Sequence, residues 1–118
     1  MISPLAMPRY DSIDDAIASY NDRFQPEKAV GVNDSVHMSL SGAEPREIVL
    51  RVNDGTLDIQ QGTVPEDATL TLHAKSEDWL AIENGDLNPM MAMMQGKAKL
   101  RGSMPFAMKF MGMFGFTG

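Results

Sequence analysis

The sequence has no cysteine, only 2 histidines and 1 tryptophan, and 7% aromatic residues in all, and each shortage removes a class of function. Without thiols there is neither a disulfide framework nor thiolate ligation of zinc or iron–sulfur clusters, which leaves a reducing, cytoplasmic setting as the expectation. Basic residues are scarce as well. Ten Lys and Arg against 16 Asp and Glu leave a formal charge of −6, a field that repels phosphate backbones, so nucleic acid is not expected as a partner. Long apolar runs are also missing: residues 104–116 are interrupted by Lys109 and two glycines and fall short of the roughly 20 residues needed to span a bilayer. The first eight residues carry no charged segment followed by a sustained apolar one, so no signal peptide is expected.

Catalytic motifs are equally thin. Gly-x-Ser-x-Gly, the P-loop and Gly-x-Gly-x-x-Gly do not occur, and around Asn53-Asp54-Gly55 a calcium loop fails because Leu50 and Val52 stand where oxygen ligands are needed. His37 and His73 fall on the polar sides of two strands, where they form at most half a metal site if those strands are neighbours. Asp14 and Asp15 read as carboxylates at the start of a helix, where they suit its dipole, in preference to a catalytic pair. No catalytic group, metal or cofactor is expected, and the chain is not read as an enzyme.

What remains is an ordinary globular composition in 118 residues with 43% hydrophobic, enough for one domain that buries about two-thirds of its unfolded surface. Residues 1–10 read as an N-terminal extension and 11–118 as the domain. Asp11 and Ser12 cap a helix carrying Ile13, Ile17, Tyr20 and Phe24 at helical spacing, and Pro26 ends it. From Ser35 the pattern switches to period two. Val36, Met38 and Leu40 share one face, with Ser35, His37, Ser39 and Ser41 on the other. Ile48, Leu50 and Val52 continue the pattern, Asn53-Asp54-Gly55 suits a tight hairpin, and Leu57 and Ile59 return as a third strand closed by Gly62. Leu70, Leu72 and Ala74 form a fourth strand. Ser76 caps a second helix with Trp79, Leu80 and Ile82, and Asn88-Pro89 opens a short third one. Ala98 and Leu100 alternate with Lys97, Lys99 and Arg101 in a fifth strand. Residues 104–114 are apolar nearly all round, a pattern that predicts burial on more than one side. The sum is an α+β fold, a mixed sheet of about five strands with helices on one face.

Eight of the 11 methionines lie between Met90 and Met113, beside Phe106, Phe110 and Phe114. Ordinary core packing accounts for some of them. Met is also flexible and polarizable, so it suits walls that adapt to apolar ligands, whereas a uniquely packed core favours Leu, Ile and Val. A fatty chain of some fifteen methylenes would gain on the order of 12 kcal/mol gross on burial, and ordering costs leave a micromolar-class binder. Lys97, Lys99 and Arg101 read either as the wet face of an edge strand or as partners for an anionic head group.

Several strings, in this order, resemble the sterol carrier protein 2 family: Asn53-Asp54-Gly55 between strands, Gly62, residues 65–72, Ser76-Glu77-Asp78-Trp79, and Gly85-Asp86-Leu87-Asn88-Pro89. The most specific is Met94-Gln95-Gly96-Lys97-Ala98-Lys99-Leu100-Arg101-Gly102-Ser103. The resemblance covers residues 11–114. It implies a sheet covered by helices around a hydrophobic tunnel for fatty acids, fatty acyl-CoA, phospholipids or sterols, with no catalytic group to carry over. The tunnel wall then falls to Trp79, Leu80, Met90, Met93, Met94, Phe106, Phe110 and Met111, to which the inward side chains Met38 and Leu40 and the late Phe114 are added. The chain ends without the peroxisomal tripeptide of eukaryotic members, and Ser103 replaces the family's aspartate as a helix cap. A lipid is the expected partner, transient membrane contact and a homodimer are further expectations, and the alternative role is a module that docks on a lipid-handling enzyme through its apolar last helix.

Overall fold

The computed structural model describes residues 9–115; the expectations for the first eight residues and for the final tripeptide lie outside them. The strands are β1 Asn33–Ser41, β2 Arg46–Asn53, β3 Thr56–Gln61, β4 Leu70–Lys75 and β5 Ala98–Gly102. They form one sheet in the order β3-β2-β1-β4-β5. β1 runs parallel to β4, and the other neighbours are antiparallel.

Turn chemistry sets the register. Asp54 at φ 44° and Gly55 at φ 86° both occupy the left-handed region that a type I′ hairpin turn requires. Asn53 therefore pairs with Thr56 and Leu50 falls opposite Ile59. A slip of one residue would send every apolar side chain to the other face. In this register Val36, Met38, Leu40, Ile48, Leu50, Val52, Leu70 and Leu72 all point the same way and are at most 4% exposed.

Four helices among the described residues cover that face: α1 Ile13–Arg23, α2 Ser76–Glu83, α3 Pro89–Met94 and α4 Met104–Met113. Ser12 caps α1 by accepting from the Asp15 amide at 3.1 Å, and Ile13, Ala16, Ile17 and Tyr20 are buried. α1 and α2 are locked by the Trp79 indole N–H, which donates to the Tyr20 hydroxyl at 3.0 Å, and by Arg23 to Glu83 at 3.2 Å. Burial pushes the Tyr20 phenol well above its ordinary pKa. The Glu83 carboxyl is raised by burial too, although Arg23 opposes the shift. β5 leads into α4 through Gly102 at φ 116°; a Cβ there would run into the Thr69 carbonyl, so only glycine fits. Arg9 and Tyr10 are tied to the end of α2, Arg9 to Asp86 at 2.7 Å and the Tyr10 amide to Asn84 Oδ1 at 2.7 Å.

Three local expectations give way. The polar side of β1 is not uniformly outward: Ser35 and His37 are buried. β1 is the central strand, and Glu47 on β2 reaches over it, meeting His37 Nε2 at 2.7 Å and accepting from Ser39 Oγ at 2.7 Å. Burial would raise the Glu47 carboxyl, but these two partners hold it below its ordinary value. Ser76 does not cap α2 with its side chain; it is the first helical residue, and its Oγ accepts the Glu44 amide at 2.9 Å, fastening the β1–β2 turn instead. α4 is not buried on several sides either. Phe106, Ala107, Phe110 and Met113 face the sheet, while Met104 and Met108 face solvent, because no further layer lies over that helix among the described residues.

Candidate functional site

An apolar slot lies between the inner face of the β4–β5 side of the sheet and the later helices. Its floor is Val36, Leu70, Leu72, Ala98 and Leu100. These are the inward residues of three adjacent strands, brought side by side by the pairings Val36–Leu70, Leu70–Gly102 and Leu72–Leu100. Trp79 and Ile82 of α2 form one wall, Pro89 and Met93 of α3 another, and Ala107, Phe110 and Met111 of α4 the third. All 12 lining residues are apolar, and the one indole N–H among them is taken by Tyr20. Such a lining selects for carbon, since a polar ligand atom placed there would lose its hydrogen bonds to water.

The local sequence explains how the walls are hung. Asn88 caps α3, its Oδ1 accepting from the amides of Met90 and Met91 at 2.8 and 3.3 Å, and Ser103 caps α4 by accepting from the Phe106 amide at 3.2 Å. The hydroxyl cap therefore does the work foreseen for it. The aromatic side chains of α4 form a continuous row, with Phe106–Phe110 at 6.4 Å, Phe110–Phe114 at 5.0 Å and Phe114–Tyr20 at 5.7 Å between ring centroids. That row fixes one side of the slot. α3 is held much less: Ala92 is its one fully buried residue.

The slot is narrow, about 50 Å³, room for roughly four water-sized spheres. A long acyl chain needs more room than that. With Ala92 as its single buried anchor, α3 is the wall with least to lose.

Of the residues singled out in the sequence, Trp79, Met93, Phe110 and Met111 line the slot. Met38 and Leu40 are buried in the sheet core but are not among its lining, nor are Phe106 and Phe114 in the aromatic row; Leu80 is half-buried against the core. Met90 and Met94 point outward, Met94 being 79% exposed. The lining residues not singled out, Val36, Leu70, Leu72, Ile82, Pro89, Ala98, Leu100 and Ala107, are plain aliphatics. Alternation marks the strand residues as inward, but nothing in it says which lie beneath α3 and α4.

The second cluster is polar and open. His73, Lys75, Lys97 and Lys99 share a surface groove with Glu77 and Asp78 at the start of α2, on the side of β5 opposite Ala98 and Leu100. His37 and His73 do sit on neighbouring strands, since Ser39 pairs with His73, yet no group of three metal-ligating residues occurs among the described residues. No described helix is long and apolar enough to cross a membrane.

Comparison with known proteins agrees with this geometry. No curated protein matches the chain in sequence. Among solved structures, a double mutant of the sec-alkyl sulfatase PisA1, an enzyme from Pseudomonas sp., superposes with a TM-score of 0.78 at 22% identity, over 87% of this chain and 16% of that one. The chain thus spans about one-sixth of the sulfatase. Palmitated SCP2L2 from Aedes aegypti gives 0.69 at 24% identity, over 84% of this chain and 90% of that one. Sterol carrier protein 2 from Yarrowia lipolytica, in its apo form, gives 0.64 at 22%, over 97% and 94%. At these identities the structures speak for the fold, and the sequence speaks for the family: the profile of the SCP-2 sterol transfer family matches residues 13–115, nearly the whole chain, so the protein belongs to that family.

Proposed function

We propose that the protein binds and carries lipids without catalysing a reaction on them, taking the apolar part of a fatty acid, fatty acyl-CoA, phospholipid or sterol-like molecule into the slot between the sheet and α2, α3 and α4. The observation that carries the reading is a lining made wholly of apolar side chains in a member of a sterol transfer family. The palmitated relative supports an acyl chain as the ligand. Adaptable Met93 and Met111 on the two movable walls suit a site that widens on loading and tolerates ligands of varied shape. Exchange with a membrane through transient contact, in the cytoplasm, belongs to the same reading.

The test is direct. Trp79 is the single tryptophan and lies in the wall, so a titrated acyl chain should shift or quench its emission, and gentle-ionisation mass spectrometry of the purified protein should detect bound lipid. A folded protein that shows neither would end the proposal.

A second reading has one observation in its favour: the similar fold occurs as 16% of a much larger sulfatase chain, so this domain can also serve as an interaction module beside an enzyme. Loss of self-association or of partner binding on changing α4, with lipid uptake intact, would favour it.

A further inference from the structure

The two edges of the sheet are unlike. β5 carries Lys99 and Arg101 on its outer side and ends in Gly102, a short, charged edge of the kind that resists pairing with another chain. β3, at the other end of the strand order, reads Thr56-Leu57-Asp58-Ile59-Gln60-Gln61. It has no Lys, Arg or Pro to guard it, and Leu57 and Ile59 are only partly buried. The hairpin turn fixes which of its backbone groups are free. Thr56 pairs with Asn53 across the turn, and the Gly62 amide donates to the Glu47 carbonyl at 2.8 Å, so Thr56, Asp58, Gln60 and Gly62 bond to β2. Leu57, Ile59 and Gln61 therefore aim their N–H and C=O groups off the sheet, where no described group bonds to them.

We propose that β3 pairs with β3 of a second copy of this chain, antiparallel about a two-fold axis that passes between Ile59 and its equivalent, joining the two sheets into one. Self-complementarity decides the occupant. Of the two-fold registers, only this one pairs the outward residues wholly among themselves: Ile59 meets its equivalent and Leu57 meets Gln61 of the partner subunit, each pair exchanging both backbone hydrogen bonds. The same register sets Asp58 opposite Gln60 of the partner subunit, whose side-chain amide donates to a carboxylate. Moving the axis to Asp58 would bring that carboxylate directly against its equivalent in a close, unbonded pair, which is destabilising. Moving it to Gln60 would leave Leu57 opposite Thr63, beyond the end of the strand. Opposed side chains share a face, so the axis stands perpendicular to the sheet and the helices of both copies cover one side. The slots are floored by β1, β4 and β5 and lie toward the two far edges, so the pairing leaves them open. The contact is small, and both copies carry a formal charge of −6; the dimer is weak, reversible and strengthened by salt.

The experiment is hydrogen exchange of the full chain, read amide by amide by NMR at low and high protein concentration, beside light scattering over the same range. The amides of Leu57, Ile59 and Gln61 should exchange freely in dilute solution and slow as concentration rises, whereas those of Asp58 and Gln60, bonded to β2, should be protected throughout. Ile59→Cys adds a single thiol to a chain that has none. In this register the two copies of it lie about 5.5 Å apart between Cα atoms, within disulfide range, so mild oxidation should yield a covalent dimer. Thr56→Cys, about 20 Å from its equivalent, should stay monomeric. Ile59→Lys should raise the dissociation constant about tenfold or more and leave uptake of a fluorescent fatty acid unchanged. A monomer at every concentration, a dimer that Ile59→Lys leaves intact, outward amides whose exchange ignores concentration, or equal crosslinking of the two cysteine variants would overturn the pairing. None of these outcomes depends on lipid uptake, so the lipid reading stands or falls separately.

Discussion

Replacing Ala107 by Leu tests the slot with a change of known size. Ala107 is buried on α4, its amide bonded to the Ser103 carbonyl in the first turn, and its methyl faces the slot. Leucine adds three carbons to a space of about 50 Å³. If they fit, they bury about 2.4 kcal/mol of apolar surface at roughly 0.8 per methylene; overpacking strain of about 1–3 kcal/mol opposes this. The two nearly cancel, so the thermal midpoint should move by only a few degrees in either direction. Ligand binding has no such compensation. An acyl chain that needs the same space loses contacts worth about three methylenes, which weakens binding about fiftyfold. The assay is titration of a fluorescent fatty acid beside thermal unfolding, with Met108→Leu on the solvent side of the same helix as the control, expected to leave both unchanged. Ala107→Leu protein that unfolds normally and binds within about threefold of wild type would refute the assignment of the slot as the ligand site.

Two further outcomes follow from the buried polar groups. Tyr20→Phe removes the hydroxyl that accepts from the Trp79 indole N–H and bonds the Glu83 carboxyl inside the core and should cost about 1–3 kcal/mol in chemical denaturation, with a change in Trp79 emission. Arg23→Met leaves the Glu83 carboxylate, whose side chain has no solvent exposure, without the guanidinium that opposes its raised pKa. A carboxyl raised in the folded state keeps its proton where the unfolded chain has released it, so stability falls as pH rises through that window. The variant should therefore lose about 3–5 kcal/mol near neutral pH and recover part of it on titration toward about pH 5, whereas a pH-independent loss would contradict the charge-burial account.

The sequence by itself determined the order and kind of the elements. Period-two alternation in Val36-Met38-Leu40 and Leu70-Leu72-Ala74, the Asn53-Asp54-Gly55 turn, and the Ser12, Asn88 and Ser103 caps act over a few residues, so their physics is local and is visible in a single strand of text. The strings from Asn53 to Ser103, taken in their order, likewise carried the family resemblance. Strand order, and with it the slot, was decided only by tertiary structure. β4 pairs with β1 across the chain, and that pairing sets Val36 beside Leu70 under α3 and α4, which no spacing along the chain reveals. The methionines show the same limit. Eight of them crowd residues 90–113, yet only Met93 and Met111 line the slot, while Met94 and Met108 face solvent. Hydrophobicity says that a side chain gains by leaving water, but which side chains leave it depends on what lies across from each helix face, and over the outer faces of α3 and α4 the folded chain places no covering layer among the described residues.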